Sequence, residues 1–269
     1  MSIGSVLRGE KRWHVELGDC LSVLSDVPDK SVAHVITDPP YSEHVHSKSR
    51  SGRNLPDVSD FACRSRRAVD FGFPHITQDE REDAADHFER IATRWTIVFC
   101  DVESSHLWSG ALKIAGLEHV RTCAWIKLGC TPQMTGDRPA VGFEAIEVAH
   151  PKGKKRWNGG GSRGVWSYPI ELDRYGHGNV ARMHTTQKPL DLMLKLVELF
   201  TDPDDIVADP FCGFSTTGVA CLRLDRRFIG VERDARYHKL SVERLTAESN
   251  STTFQAARAG QTALFGGIK

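Results

Sequence analysis

The stretch Val32-Ala-His-Val-Ile-Thr-Asp-Pro-Pro-Tyr41 is the best guide to how this chain folds. It opens with an apolar run, rich in β-branched residues, that two prolines bring to an end, which is typical of a short buried strand. Such a strand delivers the residues that follow it to the carboxyl edge of a sheet, where open α/β sheets bind their ligands. The candidate site residues are therefore Asp38, Pro39, Pro40 and Tyr41.

These four residues suit chemistry on an amino group attached to an aromatic ring. The Asp38 carboxylate can accept one amino hydrogen, and the Pro39 carbonyl, held by the rigid proline pair, can accept the other. Tyr41 offers a flat face on which a flipped-out base can stack. The alternative is an ordinary exit from a strand into a turn, since Asp-Pro and Pro-Pro are common turn sequences.

A second stretch, Ile206-Val-Ala-Asp-Pro-Phe-Cys-Gly-Phe-Ser-Thr-Thr-Gly218, predicts a strand, a glycine turn and a helix. That arrangement favours a nucleoside cofactor, because the backbone can approach a ligand closely where side chains are absent. The next predicted strand ends at Glu232, about 20 residues on, where an acid can bind ribose hydroxyls. The alternative is a βαβ unit without a ligand.

Together the two stretches resemble the DNA amino-methyltransferases, which methylate adenine at N6 or cytosine at N4 with S-adenosylmethionine. In that family Asp-Pro-Pro-Tyr is the catalytic motif, and Asp-Pro-Phe-x-Gly-x-Gly-Thr-Thr binds the cofactor. The catalytic motif comes first here, which is the order of the β group. The resemblance covers most of residues 13–245, and Ser215 stands where the family usually has its second glycine.

The resemblance implies a set of cofactor-binding residues drawn from several segments. Asp19 matches an acid that contacts the cofactor's adenine amino group, and it could equally cap the helix that follows. His184-Thr-Thr-Gln-Lys-Pro189 resembles the element that lines the methionine end of the cofactor. The full predicted set is Asp19, Thr186, Lys188, Asp209, Pro210, Phe211, Gly213, Ser215, Thr216, Thr217 and Glu232. Trp125–Lys127 and Glu144–Glu147 also resemble a segment of the family, but we interpret most of these residues as structural residues of a hairpin.

The charge is balanced overall but segregated along the chain. With 35 basic and 35 acidic residues, a protein that coats nucleic acid is excluded, so DNA must contact local basic patches. Two stretches qualify, residues 42–67 and the Gly-rich residues 150–183, where cations alternate with aromatic residues; for the latter, a plain surface loop is the alternative. The predicted DNA-binding residues are Lys48, Arg50, Arg53, Lys154, Lys155, Arg156, Trp157 and Arg163.

Other features limit the class of protein. The seven cysteines form no C-x-x-C pair and are read as buried thiols, and no histidine pair supports a metal site. No apolar run approaches a membrane span, so we expect a cytoplasmic protein. In the tail, Gln261-Thr-Ala-Leu-Phe265 resembles peptides that dock on the replication sliding clamp, although it could instead fold back onto this protein. Whether the protein forms a homodimer stays open.

The predicted fold is a doubly wound, Rossmann-like methyltransferase sheet of the α/β class, mostly parallel, with an antiparallel hairpin at one edge and the permuted motif order. Residues 1–149 form the catalytic half, with a DNA-facing loop at 42–67, and 150–183 a short target-recognition insert. Residues 184–248 form the cofactor-binding half and 249–269 a flexible tail. We further expect a loose leader at 1–12 and a helix at 78–95.

The predicted activity is adenine-N6 methylation of double-stranded DNA. The family resemblance favours adenine, because Asp is commoner than Ser at the first motif position in the adenine enzymes. Cytosine-N4 methylation is the alternative. A non-catalytic DNA-binding protein of the same fold is a further alternative.

Overall fold

The computed structural model describes residues 2–41, 75–130, 136–170, 187–252 and 254–258. Within these residues, eight strands form one sheet: β1 (Trp13–Leu17), β2 (His34–Thr37), β3 (Thr96–Cys100), β4 (Glu118–Leu128), β5 (Phe143–His150), β6 (Val165–Pro169), β7 (Ile206–Asp209) and β8 (Arg227–Glu232). The helices are α1 (Ile3–Leu7), α2 (Cys20–Ser25), α3 (Gln78–Ile91), α4 (Ser105–Ile114), α5 (Leu190–Phe200), α6 (Thr216–Arg223), α7 (Ala235–Ser249) and α8 (Phe254–Arg258). A 3₁₀ turn, Val102–Ser104, precedes α4.

The strand order is β1-β8-β7-β2-β3-β5-β4-β6. The first five strands in this order are parallel, and β5 is antiparallel to both β3 and β4. This arrangement confirms the predicted doubly wound sheet with its antiparallel hairpin. β6 pairs in parallel with β4 and extends the sheet beyond the hairpin, so part of the predicted insert belongs to the sheet.

The directions of the strands distinguish the two edges of the sheet. The parallel strands from β1 to β3 all end at one edge, here called the carboxyl edge. β5 runs the other way: Ala145 pairs with Cys100 at the end of β3, and Ala149 pairs with Thr96 at its start. The chain after β5 therefore emerges at the opposite edge, here called the amino edge.

Helices cover both faces of the sheet, which explains why β2, β3 and β7 are buried along their whole length. On one face, α5 packs Leu196 and Phe200 against Trp95, whose ring meets Phe200 edge-on at 5.4 Å between centroids. On the other face, α3 and α4 meet through Phe88 and Trp108, which stack at 6.3 Å.

Two local predictions were wrong. The helix predicted to continue to Trp95 ends at Ile91, because the backbone is extended at Ala92 and the chain turns into β3. The leader contains α1, whose Val6 is buried and accepts a hydrogen bond on its carbonyl from Arg227 Nη1 at 2.9 Å. Within the predicted tail, the structure describes the short helix α8, in which Phe254 meets Phe214 edge-on at 5.1 Å, and residues 259–269 lie outside the described residues. No helix in the described ranges is both long and apolar enough to cross a membrane.

Candidate active site

A cleft with a volume of about 400 Å³ opens at the carboxyl edge, between the ends of β1, β2, β7 and β8. It is lined by residues from both sequence motifs. The predicted site residues that line it are Asp19, Asp38, Pro39, Pro40, Tyr41, Lys188, Asp209, Pro210, Phe211, Gly213, Thr216, Thr217 and Glu232. The fold therefore brings the predicted catalytic and cofactor-binding residues together around a single cleft.

Asp209 joins the two motifs at the floor of the cleft. Its Oδ1 accepts a hydrogen bond from Thr37 Oγ1 at 2.7 Å, and its Oδ2 accepts one from Thr217 Oγ1 at 2.7 Å. Burial raises the pKa of this carboxyl to about 6, against the effect of these hydrogen bonds. Because both oxygens are engaged within the protein, Asp209 fixes the end of β2 relative to the cofactor loop.

Asp38 lines the cleft, and its two carboxylate oxygens have different surroundings. Lys188 Nζ donates to Asp38 Oδ2 at 2.5 Å and to Tyr41 Oη at 2.9 Å. Asp38 Oδ1 is buried and has no hydrogen-bond partner among the described residues. Burial raises the pKa of Asp38 to about 7; the Lys188 charge opposes this shift, and the nearby Glu144 charge adds to it.

Glu144, at the start of β5, also belongs to this cluster, and the sequence analysis missed it. Its Oε1 lies 2.6 Å from Lys127 Nζ, and its Oε2 lies 3.2 Å from Lys188 Nζ. Burial acts to raise the pKa of Glu144, but the two lysines hold it below its usual range. A signal was present, because Glu144 is an acid within an apolar strand; the strand's antiparallel direction, which brings Glu144 to the carboxyl edge, was needed to interpret it.

Two acids end neighbouring strands on the cofactor side. Asp19 follows β1, lines the cleft, and accepts a hydrogen bond on Oδ1 from the Ser22 backbone N–H at 3.1 Å, so its position is compatible with both predicted roles. Glu232 ends β8, and burial raises its pKa. Between these two acids, the loop after β7 turns at Gly213. The φ of Gly213 is +51°, a left-handed backbone conformation that glycine adopts without steric cost.

Ser215 differs from the other predicted cofactor residues in its position. Ser215 is fully buried within the protein and is not among the residues that line the cleft. Its backbone is left-handed, with φ of +54° and ψ of +44°, so a serine adopts the conformation that glycine tolerates best. Its Oγ has no hydrogen-bond partner among the described residues, and the neighbouring Cys212 thiol is only a weak hydrogen-bonding group.

The second basic stretch does not meet the cleft. It follows β5 and lies at the amino edge, where Trp95 Nε1, just before β3, donates to the Arg156 carbonyl at 2.7 Å. Trp157 packs edge-on against Phe200 at 4.7 Å and donates to the Gly160 carbonyl at 2.9 Å, so the ring anchors this loop. Lys154, Arg156 and Arg163 are exposed, and Lys155 is half-buried. The structure therefore places these residues across the sheet from Asp38.

Four other predicted residues lie outside the described residues: Lys48, Arg50, Arg53 and Thr186. The segment that carries the first three begins directly after Tyr41 in the sequence. The Gln261–Phe265 peptide is also outside the described residues.

Comparison with known proteins places the chain among DNA methylases. The family described as DNA methylase, of the N6/N4 methyltransferase type, matches residues 32–243. YubD of Escherichia coli (strain K12), whose name describes a methylase, is 29% identical over 241 residues, or 86% of this chain and 88% of YubD.

Solved structures of this family share the fold. The M1.HpyAVI–SAM complex superposes with a TM-score of 0.62 and 23% identity over 87% of this chain and 98% of that one. The cytosine-N4-specific PvuII DNA methyltransferase gives a TM-score of 0.64 with 15% identity over 94% of each chain. With both motifs at the edge of the same sheet, this chain belongs to the DNA methylase family, the β-group amino-methyltransferases that use S-adenosylmethionine.

Proposed function

We propose that this protein is a DNA adenine-N6 methyltransferase that transfers the methyl group of S-adenosylmethionine directly to a flipped-out base. The observation that carries the proposal is the buried Asp38 Oδ1, which has no hydrogen-bond partner among the described residues and belongs to a residue that lines the cleft together with Pro39 and Pro40. A buried carboxylate oxygen without a partner is costly, so its retention suits a ligand that donates a hydrogen bond to it.

The volume and the lining of the cleft suit the cofactor. Its volume lies in the range of small-molecule sites, and its wall combines apolar loop residues such as Phe211 and Phe214 with acids at its ends. In this proposal Asp19 accepts a hydrogen bond from the adenine amino group of the cofactor, and Glu232 accepts hydrogen bonds from its ribose hydroxyls; both residues line the cleft. When bound, S-adenosylmethionine would supply an electrophilic methyl group; its S–C bond would break as the N–C bond forms, and neutral S-adenosylhomocysteine would leave with the electron pair.

The residues of the catalytic motif act on the target amine. Asp38 Oδ1 accepts one amino hydrogen and the Pro39 carbonyl the other, which directs the nitrogen lone pair towards the methyl donor. Once the nitrogen has bonded to the methyl group, it carries a surplus proton. That N–H bond breaks, and its proton forms an O–H bond with Asp38 Oδ1 before release to water. Tyr41 is held through its hydroxyl by Lys188, which leaves its ring in the cleft wall as a stacking surface.

We assign the DNA-facing surface to the carboxyl edge, because a base can reach Asp38 only from there. Lys48, Arg50 and Arg53 follow Tyr41 directly in the chain, and they stay the predicted phosphate contacts.

The aspartate at the first motif position favours adenine, since the adenine enzymes of the family carry Asp there more often than Ser. Cytosine-N4 methylation is the second candidate, because the cytosine-N4-specific PvuII enzyme shares the fold over 94% of this chain. The test is to incubate unmethylated DNA with the protein and the cofactor, digest the DNA to nucleosides, and identify the product by mass spectrometry. N6-methyladenine supports the proposal, 4-methylcytosine alone would replace it, and no product with the wild type would favour a non-catalytic protein.

A further inference from the structure

Lys188 makes contacts that its motif did not predict. The motif suggested a place at the methionine end of the cofactor. In the structure Lys188 Nζ lies 2.5 Å from Asp38 Oδ2, 2.9 Å from Tyr41 Oη and 3.2 Å from Glu144 Oε2. Only 6% of the side chain is exposed. A buried ammonium needs such partners, and here one of them is the proposed catalytic carboxylate.

These contacts fix the orientation of Asp38. A carboxylate can rotate and exchange its two oxygens, unless one of them is held. Lys188 holds Oδ2, and so Oδ1 is the oxygen left for a ligand. Lys188 is itself confined, because its Nζ lies 5.2 Å from the ring centroids of both Tyr41 and Phe99.

Glu144 Oε2 forms an ion pair with the same ammonium at 3.2 Å, although it makes no hydrogen bond with a described residue. Glu144 lies at the start of β5, and Lys127 Nζ on β4 neutralises its second oxygen at 2.6 Å. Glu144 therefore competes with Asp38 for Lys188 and also adds a negative charge near Asp38. The other titratable groups whose charge acts on Asp38, or is acted on by it, are Asp209, Tyr41 and Cys100.

We propose that Lys188 and Glu144 are positioning residues with opposing effects on Asp38. Lys188 orients the carboxylate and favours its ionised form. Glu144 takes up part of the Lys188 charge, so that Asp38 Oδ1 stays basic enough to take the proton of the methylated amine. The inference rests on the proposed function, in which Asp38 is the acceptor for the target amino group.

The experiment compares Lys188→Met, Glu144→Gln and the double variant with the wild type. The matched controls are Lys195→Met and Glu198→Gln, which break an exposed ion pair of 2.8 Å on α5. Two quantities are measured as functions of pH: the ionisation of Asp38, by NMR of protein labelled with ¹³C in its aspartate carboxyls, and kcat for methyl transfer. The Asp38 resonance is assigned by its absence in Asp38→Asn.

Removing the positive charge should raise the pKa of Asp38 by about one unit or more, and removing the Glu144 charge should lower it by a similar amount. The acidic limb of the kcat profile should move to higher pH in Lys188→Met and to lower pH in Glu144→Gln. In the double variant, the acidic limb of the kcat profile should lie between the limbs of the two single variants. In Lys188→Met the plateau of kcat should also fall at least about tenfold, because Oδ1 is no longer held in place, and added methylammonium should restore part of it.

Unchanged Asp38 ionisation in both variants, or a shift in the same direction in both, would overturn the inference. Thermal unfolding shows whether each variant is folded. If Lys188→Met does not fold, Glu144→Gln decides alone: a lowered pKa supports the inference and an unchanged one overturns it. If the wild type transfers no methyl group while the two NMR shifts occur as expected, the proposed function fails and the opposing effects on Asp38 stand.

Discussion

At the scale of single residues, the conformation and burial of Ser215 lower the free energy of unfolding. A left-handed backbone costs a non-glycine residue about 1–2 kcal/mol, and a buried hydroxyl without a partner costs about 1–3 kcal/mol more. Its backbone is nonetheless fully engaged, since its N–H donates to the Cys212 carbonyl at 2.7 Å and its carbonyl accepts from the Val219 N–H at 3.0 Å. The loop therefore keeps its shape through main-chain bonds that any residue at this position could make.

Replacing Ser215 with Gly should raise the free energy of unfolding by about 1 kcal/mol. The relief of backbone strain and the loss of the buried hydroxyl outweigh the extra entropy of an unfolded glycine, which costs about 0.5–1 kcal/mol. Urea denaturation measures the change. Ser215→Ala removes only the hydroxyl and should give a smaller gain. A glycine variant less stable than the wild type would show that the serine side chain contributes packing that the strain argument omits.

The Asp38 carboxylate should be needed for transfer and not for cofactor binding. Asp38→Ala should lower kcat by at least about 100-fold, since positioned proton acceptors contribute about 10²–10⁴-fold. Binding of S-adenosylmethionine, measured by calorimetry, should change little, because Asp38 acts on the amine. Asp191→Ala, at an exposed position in the first turn of α5, is the matched control. Full activity in Asp38→Ala would remove this residue from the mechanism.

The pH dependence of the wild type follows from the raised pKa of Asp38. A protonated carboxyl cannot accept the amino proton, so activity requires the ionised form. With a pKa of about 7, kcat should be constant above this value and fall tenfold per pH unit well below it. The measurement is kcat at saturating DNA and cofactor between pH 5 and about 9. A profile that stays flat down to pH 5, about two units below that pKa, would contradict the assignment.

At the scale of elements, short apolar runs with clear ends were predictable and the connections between them were less so. β2 and β7 were recognised because each is an apolar run that ends in a turn signal. α1 was missed because a helix of five residues has too little pattern and is stable only when packed, here against β1 and β8. β6 was missed because a Gly-rich, cationic stretch precedes it and obscures its alternation.

The candidate site was predictable in part, because the meeting of its two motifs follows from the sequence. The residues that end parallel strands converge at one edge wherever those strands lie in the sequence, so both motifs could be placed together. The positions of Glu144 and of the Lys154–Arg156 stretch could not be read in this way. They depend on which strand of the predicted antiparallel hairpin lies next to β3, and the structure shows that it is β5.

This placement leads to a comparison of the two basic stretches. Replacing Lys154, Lys155 and Arg156 with Ala should leave the slope of log affinity against log salt almost unchanged if, as proposed, the DNA lies along the carboxyl edge. Replacing Lys48, Arg50 and Arg53 should reduce the slope by about one unit for each phosphate that the variant no longer binds. DNA binding is measured at several salt concentrations. The reverse order of effects would mean that the duplex reaches the amino edge.

At the scale of the whole molecule, the Gln261-Thr-Ala-Leu-Phe265 peptide stays a prediction. If it docks on a sliding clamp, Leu264 and Phe265 fill an apolar pocket of the partner, and the tether raises the local concentration of the enzyme on newly made DNA. Fluorescence anisotropy of a labelled peptide of residues 255–269 with purified clamp should then show binding that Leu264→Ala with Phe265→Ala abolishes. Equal binding by this double variant, or none by the full-length protein, would reject the clamp.

The strand order also determines at which point of synthesis the sheet can form in full. β1 pairs with β8, the last strand along the described part of the chain, and β2 pairs with β7, which lies about 170 residues further on. The first strand must therefore wait, with its apolar residues unpaired, until β8 has been made, and contacts of such long range slow folding. Because Asp19 and Glu232 end the two strands that pair last, we expect a nascent chain that already carries Asp38 but lacks β8 to bind no cofactor and to be inactive.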